Sequence, residues 1–374
     1  HVRPGGGQDR YALELARRLA ARCEVGIVAI RTEGELPPSV RVHTVRAPGR
    51  PALLTVPLFR RAARVVVESG RFDLVHAIGG ALPGAHVVTA QFCNAAWREA
   101  APSPGPYQRA VLAQAVADEL RTYRHPALRA VIAVSRRTAA EIERHYGPLR
   151  VPVTVIPNAV DSGLFHPSSP GTPRDGLPRL LFVGAYERKG LDGAIRALAR
   201  MATRAELLAV GSGKRRTLAA LAATLGVGDR VHLEPARPDI ADAYRGADAF
   251  VFPTRYEPFG MVIAEALASG LPVVTSAVAG AAELIRDGES GYVVADAEDA
   301  DGFARAVDRP DLLDDPRFAT RLDRVNRVEE LQEILAAEFR KRPRAEWLRI
   351  LERHDVPHAP VYTFGEVFED PQAQ

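Results

Sequence analysis

The chain has 374 residues, of which 47% are hydrophobic, and this length and composition predict two domains with full hydrophobic cores. Its 49 Lys and Arg residues nearly balance 46 Asp and Glu residues, so the net charge of +3 argues against a nucleic-acid partner. The two cysteines, Cys23 and Cys93, have no metal-ligand spacing, and no apolar run is long enough to span a bilayer. We therefore expect a cytoplasmic protein in a reducing compartment.

Short runs rich in Val, Ile and Leu alternate with helical patterns through most of the chain. We predict strands at 24–30, 40–45, 72–78, 86–92, 130–135, 153–156, 179–184, 205–211, 230–234, 249–253, 272–275 and 291–295. Such alternation predicts parallel sheets covered by helices. The segment 167–178 is rich in Pro, Ser and Gly, which is typical of a linker. We therefore predict two doubly wound, Rossmann-like α/β domains, 1–166 and 179–307, that face a ligand-binding cleft.

A glycine cluster, Gly5, Gly6 and Gly7, precedes an amphipathic helix predicted at 9–21. Its position at a helix start favours an anion-binding or acceptor-facing loop over a merely flexible chain start. In a doubly wound domain a strand comes before such a loop, but only residues 1–4 stand there, and the first is His1 rather than Met. We expect that strand to be missing, which would uncover part of a parallel sheet and reduce the stability of the fold.

Two further glycines end predicted strands in the second half of the chain. After Gly184, the adjacent cations Arg188 and Lys189 stand at a strand-to-helix turn, where they can reach a diphosphate in the cleft. The alternative is a solvent-exposed Arg-Lys pair without a ligand. Gly211 follows the next strand and opens another tight turn.

The most informative segment is 257–270, EPFGMVIAEALASG, which lies between two predicted strands. It places Glu257 at the mouth of a helix and Glu265 about two turns inside it. The first N–H groups of this helix, around Gly260, lack partners within it and can face an anion. A carboxylate beside such an anion site suits sugar hydroxyls, although two glutamates at this spacing are, taken alone, typical of a solvated helix face.

In this setting the segment resembles the signature of retaining, nucleotide-sugar-dependent glycosyltransferases of the GT-B superfamily, family 4. The resemblance covers 1–307. It implies a nucleoside-diphosphate sugar as donor substrate, no cofactor and no metal. It also implies same-face transfer, in which the departing phosphate takes the acceptor proton. By this resemblance Arg188 and Lys189 neutralise the leaving diphosphate, Glu257 holds sugar hydroxyls, and Glu265 holds the ribose.

The donor-binding residues implied by the resemblance are Gly5, Gly6, Gly7, Gly184, Gly211, Phe259, Gly260, Met261, Val262 and Glu265. The chain also departs from the family pattern. Many members carry Arg directly after the glycine, where Ala185 stands here. The second histidine of a common His-x-His strand end is Ile78, so we expect His76 to be a core or supporting residue. Segments 5–10, 82–86 and 186–190 are similar to the lipopolysaccharide core glucosyltransferase branch, except that the branch has an aspartate where His86 stands.

Residues 308–374 do not belong to this pattern and resemble the C-terminal part of a family III CoA-transferase. The catalytic aspartate of that family lies upstream of the matching part, so the resemblance implies no CoA chemistry. Helical periods at 328–339 and 344–354 predict a small helical appendage. The junction with the preceding residues is typical of a fusion.

We therefore expect a retaining glycosyltransferase that moves a sugar from a nucleoside-diphosphate donor to a glycan or lipid-linked acceptor. Such acceptors imply peripheral contact with the inner face of the plasma membrane. The alternative is a truncated, fused protein that binds a nucleotide or a partner without turnover. A CoA-transferase is a third hypothesis, and it requires the upstream part that the chain lacks.

Overall fold

The computed structural model describes residues 7–33, 35–48, 51–70, 72–79, 82–101, 104–167, 176–237, 239–286 and 290–307. The predicted tail at 308–374, most of the predicted linker, and Gly5 and Gly6 lie outside the described residues. The boundaries that the sequence suggests for the domains therefore stay predictions.

The described residues of the N-terminal half form two parallel sheets. The first pairs β1 (Val25–Ala29) with β2 (Val40–Thr44). The second has the order β3 (His76–Ile78), β4 (Val87–Ala90), β5 (Ala130–Ala133) and β6 (Val153–Val155). The helices of this half are α1 (Gly7–Leu19), α2 (Ala52–Ser69), α3 (Asn94–Ala100), α4 (Pro106–Tyr123) and α5 (Arg136–Tyr146).

The two N-terminal sheets are not joined by a hydrogen-bonded strand among the described residues. A doubly wound domain normally has one continuous sheet, and the missing strand that we expect between β1 and β3 stays a prediction. The reduced stability that we expect from this gap stays a prediction.

In the C-terminal half, the described residues form one parallel sheet of six strands in the order β12-β11-β10-β7-β8-β9. These strands are β7 (Arg179–Ala185), β8 (Glu206–Ser212), β9 (Val231–Pro235), β10 (Ala249–Phe252), β11 (Val273–Ser276) and β12 (Gly291–Val294). The helices between and after them are α6 (Leu191–Arg200), α7 (Arg215–Thr224), α8 (Ala241–Arg245), α9 (Met261–Ala268) and α10 (Ala300–Val307).

Helices cover both faces of this sheet, so its central strands are apolar on both sides rather than alternating. Phe182, Phe250 and Phe252 are fully buried, and Phe252 lies 5.7 Å from each of the other two rings. The described residues form all twelve predicted strands, with shifted ends: the prediction at 72–78 shortens to β3, whereas β7, β8 and β9 each end one residue later than predicted. The prediction of doubly wound α/β architecture is confirmed.

The strand order reverses between β7 and β10, which lie side by side at the centre of the sheet. In open α/β sheets a crevice forms beyond the carboxyl ends of the strands at such a switch point. The loop after β7 carries Lys189, and the loop after β10 carries Glu257. The topology therefore brings two residues 68 positions apart (257 − 189 = 68) to one edge of the sheet.

Gly211 stands opposite Gly184 in the register of β7 and β8. A Cβ atom at Gly211 would lie 1.8 Å from the Gly184 carbonyl oxygen, so the two strands would have to move apart. We expect Gly211→Ala to lower the free energy of unfolding by about 3 kcal/mol in urea titrations. Gly228→Ala is the control, because a Cβ there meets only ordinary contacts of 3.4–3.7 Å. Equal effects of the two substitutions would contradict this close approach.

Candidate active site

A buried ion pair lies at the switch point of the C-terminal sheet. The Nζ atom of Lys189 directly contacts Oε2 of Glu257, and their side chains are 9% and 13% exposed. The same ammonium group lies 5.5 Å from the ring centroid of Phe252 at the end of β10. The pair therefore joins the loops that follow the two central strands.

The charge of Lys189 depends on its partner. Burial lowers the pKa of Lys189 well below its usual value, and the charge of Arg188 lowers it further. Direct contact with the Glu257 carboxylate opposes both effects, because a nearby opposite charge favours the ionised form. An anion that enters the crevice would supply a second negative partner for this ammonium group.

The N-terminus of α9 lies next in the chain after Glu257. Gly260 precedes the helix with φ +102°, a conformation that side-chain-bearing residues rarely adopt, and no side chain caps the helix. The N–H groups of Ile263 and Ala264 donate to the Gly260 carbonyl oxygen, at 2.9 and 3.4 Å. Those of Met261 and Val262 have no protein acceptor among the described residues. These N–H groups can therefore receive an anion, which the helix dipole favours.

Gly7, the described residue of the glycine cluster, faces this helix from the N-terminal half. A Cβ atom at Gly7, the first residue of α1, would lie 3.7 Å from Cγ of Met261. The Gln8 side chain donates a hydrogen bond of 3.1 Å to the Ile78 carbonyl oxygen, which ties α1 to the end of β3. Residues from opposite halves of the chain thus border one crevice.

Glu265 lies deeper in α9 and is 6% exposed. Its Oε2 accepts a hydrogen bond from the Tyr244 hydroxyl at 3.0 Å, and its Oε1 accepts one from Nη1 of Arg10 at 3.2 Å. Burial raises the pKa of Glu265, while the Tyr244 hydrogen bond and the Arg10 charge act in the opposite direction. Glu265, which we predicted to bind the ribose, is therefore a buried hydrogen-bond acceptor that residues from both halves of the chain hold in place.

Tyr256 anchors the loop that carries Glu257 to the N-terminal half. Its ring centroid lies 5.3 Å from that of Phe92 and 5.4 Å from that of Trp97. Its hydroxyl lies 3.0 Å from Oε2 of Glu141 and 3.2 Å from the Cys93 carbonyl oxygen. These contacts fix the loop at the residue directly before Glu257.

Two neighbouring residues complete the support of this loop. The Pro258 carbonyl oxygen accepts hydrogen bonds from Ser135 Oγ at 2.6 Å and Thr138 Oγ1 at 3.2 Å. Arg255 donates to both carboxylate oxygens of Asp192, at 3.1 and 2.8 Å, and also pairs with Glu298. The loop is therefore held from α5, from α6 and from the segment before α10.

The remaining predicted site residues lie around this centre. Phe259 is buried, and its carbonyl oxygen accepts from the N–H of Ala281 at 2.6 Å. Gly184 and Gly211 are paired at the ends of β7 and β8. His76 contacts Thr89 Oγ1 at 2.7 Å, and burial lowers its pKa; its supporting role stays a prediction.

Arg188 lies on a different surface from its neighbour Lys189. It borders a cavity of about 940 Å³ that α3 and α4 line on one side and α6 and α7 on the other. Arg196 and Lys214 border the same cavity, which is otherwise largely apolar. None of these three cations forms an ion pair with another of the described residues. The predicted role of Arg188 at the leaving group stays a prediction.

Sequence reasoning missed Arg10, Tyr244, Tyr256 and Arg255. Arg10 and Tyr244 carry no motif, because their contacts with Glu265 span 255 and 21 residues of sequence. Tyr256 and Arg255 directly precede Glu257, so their position in the segment was the one available signal.

The described residues contain neither a membrane-spanning helix nor a metal-binding cluster. No helix among them is long and apolar enough to cross a membrane. No group of three or more His, Cys, Asp or Glu residues among them is placed to hold a metal ion.

Removal of one partner from the Lys189–Glu257 pair leaves a buried charge without compensation. We expect Lys189→Met to lower the free energy of unfolding by about 3 kcal/mol at pH 7 in urea titrations. The double variant Lys189→Met/Glu257→Gln should regain most of this loss. The control is Lys214→Met, at an exposed lysine, which should change the free energy of unfolding by less than about 0.5 kcal/mol. If the double variant loses as much free energy of unfolding as Lys189→Met and Glu257→Gln lose separately and in sum, the contact does not exist in solution.

Comparison with known proteins gives matches in three parts of the chain. Residues 5–164 match the family described as Glycosyltransferase Family 4, and residues 177–314 match Glycosyl transferases group 1. Residues 283–374 match CoA-transferase family III, which overlaps the end of the second match and agrees with the resemblance seen in the tail.

Curated and solved relatives extend over most of the chain. The D-inositol 3-phosphate glycosyltransferase of Thermomonospora curvata is 33% identical over 85% of this chain and 84% of its own. The crystal structure of WaaG, a glycosyltransferase involved in lipopolysaccharide biosynthesis, superposes with a TM-score of 0.73 at 23% identity, covering 86% of this chain and 92% of WaaG.

A third similar structure is Anabaena HepE in complex with UDP and glucose. It has a TM-score of 0.61 at 20% identity and covers 88% of this chain and 96% of HepE. At these identities the two structures support the GT-B fold, and the T. curvata relative establishes the family. The chain is a glycosyltransferase and belongs to family 4 of the GT-B enzymes.

Proposed function

We propose that the protein is a retaining glycosyltransferase that moves a sugar from a nucleoside-diphosphate donor to a glycan or lipid-linked acceptor. The observation that carries this proposal is the juxtaposition of the Lys189–Glu257 pair, the uncapped N-terminus of α9, and Gly7 on the facing half. Such an acceptor fits a cytoplasmic protein in peripheral contact with the inner face of the plasma membrane.

The leaving diphosphate would lie against the N-terminus of α9. There the N–H groups of Met261 and Val262 have no protein acceptor among the described residues, and Lys189, paired with Glu257, would add positive charge. Such groups stabilise developing negative charge strongly when they are fixed in place and shielded from water. In this proposal they supply the electrostatic stabilisation, and neither metal nor cofactor takes part.

The two carboxylates would bind hydroxyl groups at different depths. Glu257 at the mouth of the helix would accept hydrogen bonds from the transferred sugar. Glu265, two turns further in, would accept them from the ribose. Glu257 would keep its contact with Lys189 meanwhile, so that the sugar and the diphosphate are oriented by one connected pair.

Transfer with retention is the mechanism that fits this arrangement. The bond between the anomeric carbon and the phosphate oxygen breaks, and a bond from the acceptor oxygen forms on the same face. The acceptor proton passes to the departing phosphate oxygen, which has become anionic. No pair of catalytic carboxylates at glycosidase separation is needed for this step.

The relatives suggest which substrates to test first. HepE was crystallised with UDP and glucose, so UDP-glucose is the first donor. The curated relatives are named D-inositol 3-phosphate glycosyltransferase, so D-inositol 3-phosphate belongs in the acceptor panel beside lipid-linked glycans. The alternative function, nucleotide or partner binding without turnover, predicts that no donor is consumed with any acceptor.

Donor consumption by the purified full chain tests the proposal. We expect one of the glucose or mannose donors of UDP, GDP, ADP or TDP to be used, and its anomeric configuration to persist in the product by NMR. Lys189→Ala and Glu257→Gln should each lower kcat/KM by about 10²–10³-fold, because each removes a group at the reacting centre. Glu143→Gln, on the exposed face of α5, is the matched control and should leave it unchanged.

Binding of a donor without consumption by the folded chain would favour the non-catalytic alternative. An inverted product would overturn the retaining mechanism while leaving the donor site in place.

A further inference from the structure

Arg10 reaches Glu265 from the opposite half of the molecule. It lies in the first turn of α1, three residues after Gly7, and its guanidinium is 3.2 Å from Oε1 of Glu265. The guanidinium carbon lies 5.5 Å from the ring centroid of Phe165, which is itself buried against Tyr244 with 5.5 Å between ring centroids. Phe165 thus positions both groups that contact the Glu265 carboxylate.

We propose that Arg10 is a donor-positioning residue: it orients the Glu265 carboxylate for the ribose hydroxyls and links donor binding to closure of the cleft. This inference rests on the proposed function, which assigns the ribose to Glu265. Arg10 acts through Glu265 and takes no part in the bond-making step.

The protein hydrogen bonds at Glu265 do not use all of its acceptor positions. An ionised carboxylate has about four acceptor positions, two on each oxygen. Tyr244 fills one position on Oε2, and Arg10 fills one position on Oε1. One position per oxygen remains, which matches the two adjacent hydroxyls of a ribose. The carboxylate therefore does not have to release either protein partner to bind the donor.

The charge of Arg10 favours the ionised form of the Glu265 carboxyl group. Glu265 is the one charged residue of α9, and the titratable groups in contact with its carboxylate among the described residues are Arg10 and Tyr244. Burial raises the pKa of Glu265, and Arg10 opposes that rise. A protonated carboxyl group is a poorer acceptor, so donor affinity should be full above this pKa and fall as the pH drops through it. Loss of Arg10 would raise the pKa and move that fall to higher pH.

The position of Arg10 also makes the ribose site dependent on closure. Arg10 belongs to α1 in the N-terminal half, whereas Glu265 and Tyr244 belong to the C-terminal half. If the halves separate, Glu265 loses its cation and its affinity for the diol decreases. By thermodynamic linkage, a bound nucleoside diphosphate favours the closed arrangement by the same free energy by which closure favours its binding.

Calorimetric titration of UDP, GDP, ADP and TDP between pH 5 and pH 8 tests this inference. For the nucleotide that the wild type binds, we expect Arg10→Met to raise Kd about tenfold at pH 7 and to shift the fall in affinity to higher pH. Arg10→Lys should restore part of the affinity. Arg10→Met combined with Glu265→Gln should bind no more weakly than Glu265→Gln alone. Arg18→Met, on the exposed face of α1, is the matched control and should behave as wild type.

Each contrary outcome has a distinct meaning. If Glu265→Gln weakens binding but Arg10→Met binds as wild type at every pH, Arg10 has no positioning role and the donor site stands. Tighter binding by Arg10→Met would overturn the inference, because Arg10 would then compete with the ribose. If the wild type binds none of the four nucleotides, or if Glu265→Gln binds them unchanged, the assigned donor site fails and the inference fails with it.

Discussion

The contact between Lys189 and Glu257 is the constraint on which the rest of the site depends. A buried ion pair gains little net stability, because both charges lose their hydration, and it persists only where the surrounding groups fix its geometry. Here the adjacency of β7 and β10 brings the two loops together, and Arg255 and Tyr256 hold the second loop in place. The pair is thereby kept beside the N-terminus of α9, where the helix dipole also favours a bound anion.

Several contacts between the two halves of the chain are made by residues that flank the site. Tyr256 packs among aromatic rings of the N-terminal half, Pro258 accepts hydrogen bonds from α5, and Arg10 reaches Glu265. Any relative movement of the halves would therefore alter the loop that carries Glu257 and the surroundings of Glu265 together. In the proposed function, closure of the cleft and completion of the site would be one event, which suits a reaction that must exclude water from a reactive sugar.

The sequence predicted the strands well, because buried parallel strands appear as continuous apolar runs. It also predicted the start of the helix in the segment 257–265, because glycine stands at the position that requires positive φ. The contacts of Arg10 and Tyr256 could not be predicted, since they join residues 255 and 115 positions apart and follow no periodic pattern. The neighbours Arg188 and Lys189 looked equivalent in the sequence. The turn between β7 and α6 separates them, directing Lys189 to Glu257 and leaving Arg188 at the cavity between helices.

A crystal structure with a bound nucleoside diphosphate would test the central claim most directly. The account predicts phosphate oxygens within hydrogen-bond distance of the Met261 and Val262 N–H groups and of Lys189 Nζ, with the ribose hydroxyls on Glu265. A diphosphate bound instead in the cavity bordered by Arg188, Arg196 and Lys214 would contradict it, and would move the donor site away from the carboxyl ends of β7 and β10.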